Sequence, residues 1–374
     1  MRRSPIFELN PGAPPAPQMV ARFMSRRRFL QSASALALLL SASGKVHAGP
    51  GMPIADAHSH FGMYSSKLAN RSLKTEMENA GVTLLAWAIS GDGRWIRRES
   101  SGIQQRATPG PGEQSAYLLE KLSWMRAYLA KIGLDFVQSA ADIDAARSGA
   151  PRVVIALEGA GSTEDKVEIL DEAYAHGLRH LQLVHYIRNG LGNFQTERPE
   201  HDGLTALGIN VIKSCNRLGI LVDLAHSTRE NIDAALVASS MPMVWSHSAI
   251  TTIQYSWRQS SNRSRLLGLD YAKKIAQRGG AIGLWALRNT VASSPDGYAT
   301  ELLRMVDALG PEHVMFGTDL EGMGPYAVMD ELHDLRNVAD LLRERGVDDK
   351  TLRAICFDNY ARCLKGAMQG RGGG

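Results

Sequence analysis

Histidines and acidic residues end one short apolar run after another in this chain of 374 residues. His58 and His60 are separated by one residue, so on a strand both side chains point to the same side, where they can share a metal ion. A single His-x-His is a weak signal, because a buried histidine more often makes only hydrogen bonds. Five further residues at the ends of such runs turn the weak signal into a predicted metal site. They are Glu158, His185, His226, His247 and Asp319.

These ligands exceed what one four-coordinate zinc ion needs. We therefore expect two divalent ions bridged by Glu158, with His58 and His60 on one ion and His226 and His247 on the other. Imidazole and carboxylate ligands suit zinc, with manganese and cobalt as alternatives. Two such ions would share a water and lower its pKa toward ~7, which supplies hydroxide for a hydrolysis at neutral pH.

Two members of the set remain for catalysis. Asp319 can orient the hydroxide and pass its proton to a leaving nitrogen, as a general base and acid must. Taken alone, Asp319 could also be a helix cap, a common role for Asp after a strand. His185 has no obvious second metal partner, so we expect it to donate a hydrogen bond to the scissile carbonyl oxygen as negative charge develops there.

The elements that carry these residues form a repeating pattern. Eight short apolar runs predict strands, and most are followed by a segment with helical periodicity. Near-continuous apolar strands that alternate with helices indicate a parallel sheet covered on both faces. Eight units favour a (β/α)₈ TIM-type barrel, in which sites form at the carboxyl ends of the strands; an open doubly wound sheet is the alternative. The predicted strands are 54–58, 82–89, 153–157, 178–184, 220–224, 242–245, 281–284 and 314–316.

One connection in this pattern is long. Residues 91–150, between the second and third strands, contain glycine- and proline-rich turns and a predicted helix over 113–131. A long insertion after a barrel strand lies at the catalytic mouth, so we expect a lid or a wall of the substrate site. A terminal helix is predicted over 349–365.

The first 48 residues differ in composition from the rest. The run 25–31, Ser-Arg-Arg-Arg-Phe-Leu-Gln, precedes an apolar stretch over 33–42 and the small-residue site 46–48. This layout is typical of a secretory signal and resembles the bacterial twin-arginine type, which exports folded proteins. We expect residues 1–48 to be a signal region, 49–374 to be the hydrolase barrel, and the location to be periplasmic or otherwise exported, with the twin-arginine export machinery as a partner. The apolar stretch is about half of the ~20 residues that a membrane span needs, which argues against a stable anchor.

The formal charge of +4 comes from that first segment. Residues 49–374 hold 35 Lys and Arg against 37 Asp and Glu, a net charge of −2, which excludes a generally basic nucleic-acid-binding surface. Cys215, Cys356 and Cys363 are odd in number and lack metal-type spacing, so neither a disulfide framework nor a zinc ribbon is expected. On a helix, Cys356 and Cys363 would lie about 10 Å apart, beyond disulfide reach.

Several motifs together resemble the membrane (renal-type) dipeptidases, in order and spacing, from about residue 54 to 364. They include Ile-Ala-Leu-Glu-Gly at 155–159, Asp-Leu-Ala-His-Ser-Thr at 223–228, Trp-Ser-His-Ser at 245–248 and Gly-Thr-Asp at 317–319. The resemblance implies a barrel enzyme with two zinc ions that cleaves the peptide bond of dipeptides, often with a D-residue at the carboxyl side. In that family pattern Glu158 would bridge the metals, His185 would contact the substrate, and Asp319 would be the acid and base.

Two features depart from this resemblance. The family has an Asp where this chain has His60, and a neutral imidazole there makes the dinuclear site one unit more positive, which should acidify a bridging water. The family also has an Arg after the sixth strand that pairs with the carboxylate of the substrate, a role that suits a guanidinium fork. Arg258, Arg263 and Arg265 all lie in this segment; Arg263 is preferred here and Arg258 is the next choice.

Three functions remain open from the sequence. The first is an exported zinc-dependent dipeptidase. The second is a related metal-dependent amidohydrolase acting on N-acyl amino acids, lactones or phosphoesters, which His60 favours. The third is an inactive barrel that binds ligands or stores metal, against which Asp319 argues, because mere binding needs no acid or base beside the metals. The oligomeric state, monomer or homodimer, also stays open.

Overall fold

The computed structural model describes residues 51–64, 66–99, 102–164, 166–258 and 261–369. The predicted signal region, residues 1–48, lies outside these ranges. Within them, no helix combines the length and the apolar character that a membrane crossing requires.

Eight parallel strands of the described residues follow one another in chain order around a barrel. Between the last strand and the first, the Asp319 N–H donates to the carbonyl oxygen of His58 (3.0 Å) and the His60 N–H to that of Leu320 (2.9 Å). This contact joins the two sheet edges, so the predicted TIM-type barrel is confirmed and the open sheet is not found. The strands are β1 Ile54–Ser59, β2 Val82–Ser90, β3 Arg152–Glu158, β4 Leu178–Gln182, β5 Leu221–Asp223, β6 Val244–Ser248, β7 Ala281–Leu284 and β8 Val314–Phe316.

Amphipathic helices cover the barrel. The helix His333–Glu344 buries Leu335, Val338, Ala339 and Leu342, a spacing of three and four residues that places one apolar face on the sheet. The longer helices are α1 Leu73–Ala80, α2 Glu113–Ile132, α3 Ala140–Arg147, α4 Ile169–Ala175, α5 Ala206–Leu218, α6 Arg229–Ala238, α7 Leu269–Gln277, α8 Pro295–Leu309, α9 His333–Glu344 and α10 Asn359–Gln369.

The insertion after β2 contains more structure than the sequence predicts. Its long helix is α2, as expected, but an antiparallel hairpin of Ile96–Glu99 and Gly102–Gln105 precedes it. The short strand Asp135–Phe136 then pairs with β3. The hairpin sequences, Ile-Arg-Arg-Glu and Gly-Ile-Gln-Gln, lack the apolar alternation that marks a half-buried strand, so periodicity could not find them.

The predicted terminal helix is present but is not regular. A short α-helix, Asp349–Arg353, passes through the π-helical turn Ala354–Asp358 into α10. Phe357, Tyr360 and Leu364 from this segment pack with small side chains of the first strands, including Ala57 and Ala86. The terminal segment thereby holds the strands that carry the first histidines.

Candidate active site

The carboxyl ends of the strands open into a cavity of about 640 Å³. Its lining combines residues from the strand ends with the hairpin of the insertion, which contributes Ile96, Arg97, Arg98 and Ile103. The expectation that residues 91–150 supply a wall beside the site agrees with this placement.

Glu158 lies at the centre of the predicted metal ligands. Its Oε1 is 3.5 Å from Nε2 of His58, 3.4 Å from Nε2 of His226 and 3.7 Å from Nε2 of His247. Its Oε2 is 3.2 Å from Nε2 of His60. All five residues are at most 3% exposed. The structure therefore brings together every residue that the sequence nominated as a metal ligand.

Hydrogen bonds on the far side of the rings fix the orientation of three of these imidazoles. Nδ1 of His60 donates to the carbonyl oxygen of Ala88 (2.9 Å). Ser246 places its hydroxyl 2.8 Å from Nδ1 of His247 and 3.4 Å from Nδ1 of His58. Nε2 of each ring therefore faces the cluster. Outer contacts of this kind commonly orient histidines that bind metal.

The electrostatics of the cluster favour a cation among these atoms. Burial lowers the pKa of His226 and of His247 well below the usual value, which keeps their metal-binding lone pairs free. Burial also lowers the pKa of His60, but hydrogen bonds with Asp319 and Glu158 outweigh it and raise the pKa to about 10. Since these carboxylates stabilise a positive charge at Nε2 of His60, the donor set fits divalent metal ions.

Among the described residues, three groups of three side chains could each hold an ion, and one of them, His58, Asp223 and His247, shares a histidine with each of the other two. His58, His60 and Asp319 form one group, and Glu158, His226 and His247 form the other, with the ligand atoms of each group within 4.8 Å of one another. These two groups contain the same pairs of histidines that the sequence predicts for two ions, and the number of ions stays a prediction. The sequence analysis predicts Asp319 only as the acid and base. The structure also places its carboxylate close enough to His58 and His60 to bind the same ion.

Asp319 is held by both its backbone and its carboxylate. Its φ of 55° is left-handed, an uncommon and costly conformation for a residue other than glycine. Oδ2 accepts a hydrogen bond from the indole N–H of Trp285 (3.0 Å), and Oδ1 lies 3.4 Å from Nε2 of His60. Gly322 permits this position, because a Cβ there would overlap Oδ1.

His185 enters the cluster from the end of β4. Its Nε2 lies 3.3 Å from Oε2 of Glu158, and its Nδ1 lies 2.7 Å from Oδ1 of Asp92. The second oxygen of Asp92 accepts the backbone N–H of Tyr186 (2.9 Å). Sequence reasoning missed Asp92, although its place in Gly-Asp-Gly directly after β2 was a usable signal.

The three arginines after β6 differ in burial and in their position relative to the cavity. Arg265 is only 7% exposed and lines the cavity. It donates to the hydroxyl of Tyr186 (2.9 Å), and its Nη2 lies 2.7 Å from Nε2 of His226. Arg258 and Arg263 are exposed, lie over the rings of Trp257 and Tyr255, and are not among the residues that line the cavity. Thus Arg265 replaces the preferred Arg263, and Arg258, as the candidate that can reach a substrate.

Comparison with known families agrees with this geometry. The family described as membrane dipeptidase (peptidase family M19) matches residues 55–371. The match covers nearly all of the barrel, including every strand end that contributes to the cluster. The chain belongs to the membrane dipeptidase family.

Individual relatives are distant. The chain is similar to dipeptidase verJ of Clonostachys rogersoniana, with 27% identity over 223 residues, 58% of this chain and 56% of that protein. It therefore matches little more than half the length of that relative. An uncharacterized protein in the pqqA 5′ region of Klebsiella pneumoniae is 28% identical over 69% of this chain and 99% of its own length.

Solved structures share the fold. A metallo peptidase from Rhodobacter sphaeroides, liganded with a phosphinate mimic of the dipeptide L-Ala-D-Ala, superposes with a TM-score of 0.70 and 20% identity. The superposition covers 85% of this chain and 99% of that one. At this identity the likeness establishes the barrel fold.

Proposed function

We propose that this protein is a dipeptidase that hydrolyses the peptide bond of free dipeptides with the help of two divalent metal ions, zinc in the first place. The observation that carries the proposal is the buried cluster around Glu158, with Asp319 and Arg265 at its edge. His58 and His60 would hold one ion and His226 and His247 the other, with Glu158 between them. Bound there, the ions would lower the pKa of a shared water and polarise the scissile carbonyl.

The protein's own residues supply the remaining functions. The guanidinium of Arg265 binds the carboxylate of the dipeptide, a task for which its fork of donors is suited. His185, oriented by Asp92, donates a hydrogen bond to the carbonyl oxygen as charge develops. Asp319 takes a proton from the attacking water and delivers it to the leaving nitrogen.

The substrates are dipeptides with a free amine and carboxylate. A D-residue on the carboxyl side is part of the proposal, because the Rhodobacter metallo peptidase is liganded with a mimic of L-Ala-D-Ala. The test is amine release from L-L and L-D dipeptides, each compared with its N-acetylated form, with and without added zinc. Cleavage of the free forms alone supports the dipeptidase and defines its stereochemical preference.

His60 favours a second candidate. A second imidazole beside His58 brings the ligand set closer to the wider amidohydrolases, which leads to N-acyl amino acids or lactones as substrates. The same panel separates the two functions, because an enzyme for N-acyl substrates would cleave the N-acetylated compounds and leave the free dipeptides intact.

Export to the periplasm is a further part of the proposal. It is supported by the sequence of residues 25–48 alone. Replacement of Arg26 and Arg27 by Lys should hold the protein in the cytoplasm, as measured by cell fractionation. Unchanged export of that variant would remove the twin-arginine machinery as a partner.

A further inference from the structure

Glu321 is an acidic residue of the cavity that the reaction outlined above does not use. It follows Asp319 by two residues in the loop after β8, and it lines the same cavity. Its φ of 70° is left-handed, as is that of Asp319. Such backbone strain in a residue other than glycine is typical of functional sites, where the conformation aims a side chain.

The carboxylate of Glu321 is only half satisfied. Oε2 accepts the backbone N–H of Tyr64 at 3.3 Å, but Oε1 is buried without a hydrogen-bond partner. In the described part of the chain Glu321 makes no ion pair either, and Arg98 of the same cavity wall donates instead to the carbonyl oxygen of Gly322. A buried carboxylate oxygen without a donor is unfavourable, so a donor that reaches Glu321 from the cavity would offset this cost.

The charges of the cavity indicate which donor this is. Arg265 reaches the cavity from the segment after β6 and offers a cation for the carboxylate of a substrate. Glu321 reaches it from the segment after β8 and offers an anion. A free dipeptide carries a carboxylate at one end and an ammonium group, with three N–H donors, at the other. We propose that Glu321 binds the free α-ammonium group of the substrate and so makes the enzyme select dipeptides with an unblocked amine.

This inference rests on the proposed dipeptidase function and deepens it. Glu321 touches the substrate away from the scissile bond, so it governs binding and selectivity.

The test is Glu321→Gln, which keeps the shape and removes the charge. For a free dipeptide, KM should rise roughly 10- to 100-fold, the range for a lost hydrogen bond between charged groups, while kcat changes much less. For the N-acetylated dipeptide, kcat/KM should stay the same or rise, so selectivity for the free amine falls by at least ~10-fold. Glu321→Asp, which keeps the charge, should recover part of the selectivity.

Glu312→Gln is the matched control, because Glu312 is exposed in the turn Pro311–His313 at the opposite end of β8. This control should behave as the unsubstituted protein does. Unchanged KM and selectivity in Glu321→Gln, with thermal unfolding as in the control, would overturn the inference and leave the dipeptidase standing. If the unsubstituted, zinc-loaded protein cleaves no free dipeptide at all, the proposed function itself fails. If Glu321→Gln does not fold, Glu321→Asp tests the inference instead. An unaltered KM in that variant would contradict direct contact between the carboxylate of residue 321 and the ammonium group of the substrate.

Discussion

At the scale of single residues, several contacts hold the Asp319 carboxylate in the position that its proposed role in proton transfer requires. Its left-handed backbone, the bond from Trp285 and the space left by Gly322 all fix the carboxylate beside His60. We predict that Asp319→Asn lowers kcat by about 10²- to 10⁴-fold, the usual worth of general acid–base catalysis. Amine release measures kcat, and elemental analysis of the purified variant should still find metal. Unchanged turnover would exclude Asp319 from the reaction.

Arg265 allows a sharper comparison, because an exposed arginine lies two residues before it. We predict that Arg265→Gln raises KM for free dipeptides by roughly 10- to 100-fold, since a charge-assisted bond to the substrate carboxylate is lost. Arg263→Gln should leave KM unaltered. Steady-state kinetics of the two variants measure this, and a larger effect at Arg263 would restore the preference drawn from the sequence.

The candidate metal ligands could be nominated from the sequence because each lies at or just after the end of an apolar strand. Arg265 could not be singled out from the sequence, because it lies in an irregular segment with three arginines. Counting residues forward from His247 and counting them back from α7 select different arginines. Ser246 and Asp92 were missed for another reason. Asp92 contacts His185, and Ser246 contacts His58, between segments that are distant along the chain. A sequence pattern can mark such residues as candidates but does not show which ring each one contacts.

At the scale of elements, the eight strands were predictable and their close approach was not. Short apolar runs indicate strands wherever they occur in the sequence. How closely two neighbouring strands approach each other depends on single glycines. Gly283 in β7 and Gly317 after β8 both lie against the carbonyl oxygen of Ser246, where a Cβ would overlap that oxygen. The same Ser246 orients His247, so the packing of these strands positions this candidate metal ligand.

We predict that Gly283→Ala displaces β6 and disturbs His247. Overpacking at such a site costs about 1–3 kcal/mol of unfolding free energy. Denaturant unfolding should show this loss, and elemental analysis should find less metal per chain. Gly297→Ala is the control, because a Cβ in that turn of α8 makes only an ordinary contact of 3.4 Å. Equal stability and equal metal content in both variants would show that strand spacing at Gly283 does not position the site.

At the scale of the whole molecule, all three cysteines are free and lie inside the fold. Burial raises the pKa of Cys215 and of Cys356 to about 12, and that of Cys363 to about 11. Because the thiolate is the reactive form, we predict that iodoacetamide at pH 8 labels none of them in the folded protein and all three in denaturant. Mass spectrometry counts the labels. Rapid labelling without denaturant would contradict the burial of these positions.

The barrel and its family could be read from the sequence because the motifs span the whole domain in a fixed order. The family match over residues 55–371 confirms that reading. The hairpin strands Ile96–Glu99 and Gly102–Gln105 contribute to the cavity wall, and they have no sequence signal as strong as the family motifs. Its four-residue strands depend on contacts with the rest of the barrel, so the shape of the substrate site was beyond prediction.

Metal-dependent cleavage of a free dipeptide is the most direct test of the central claim. Amine release from L-Ala-D-Ala and L-Ala-L-Ala should be measured with the purified protein as isolated, after removal of metal by a chelator, and after zinc is added back. The account predicts activity that disappears with the metal and returns with zinc, and much slower cleavage of the N-acetylated forms than of the free dipeptides. Equal cleavage without metal, or cleavage confined to N-acyl compounds, would contradict it.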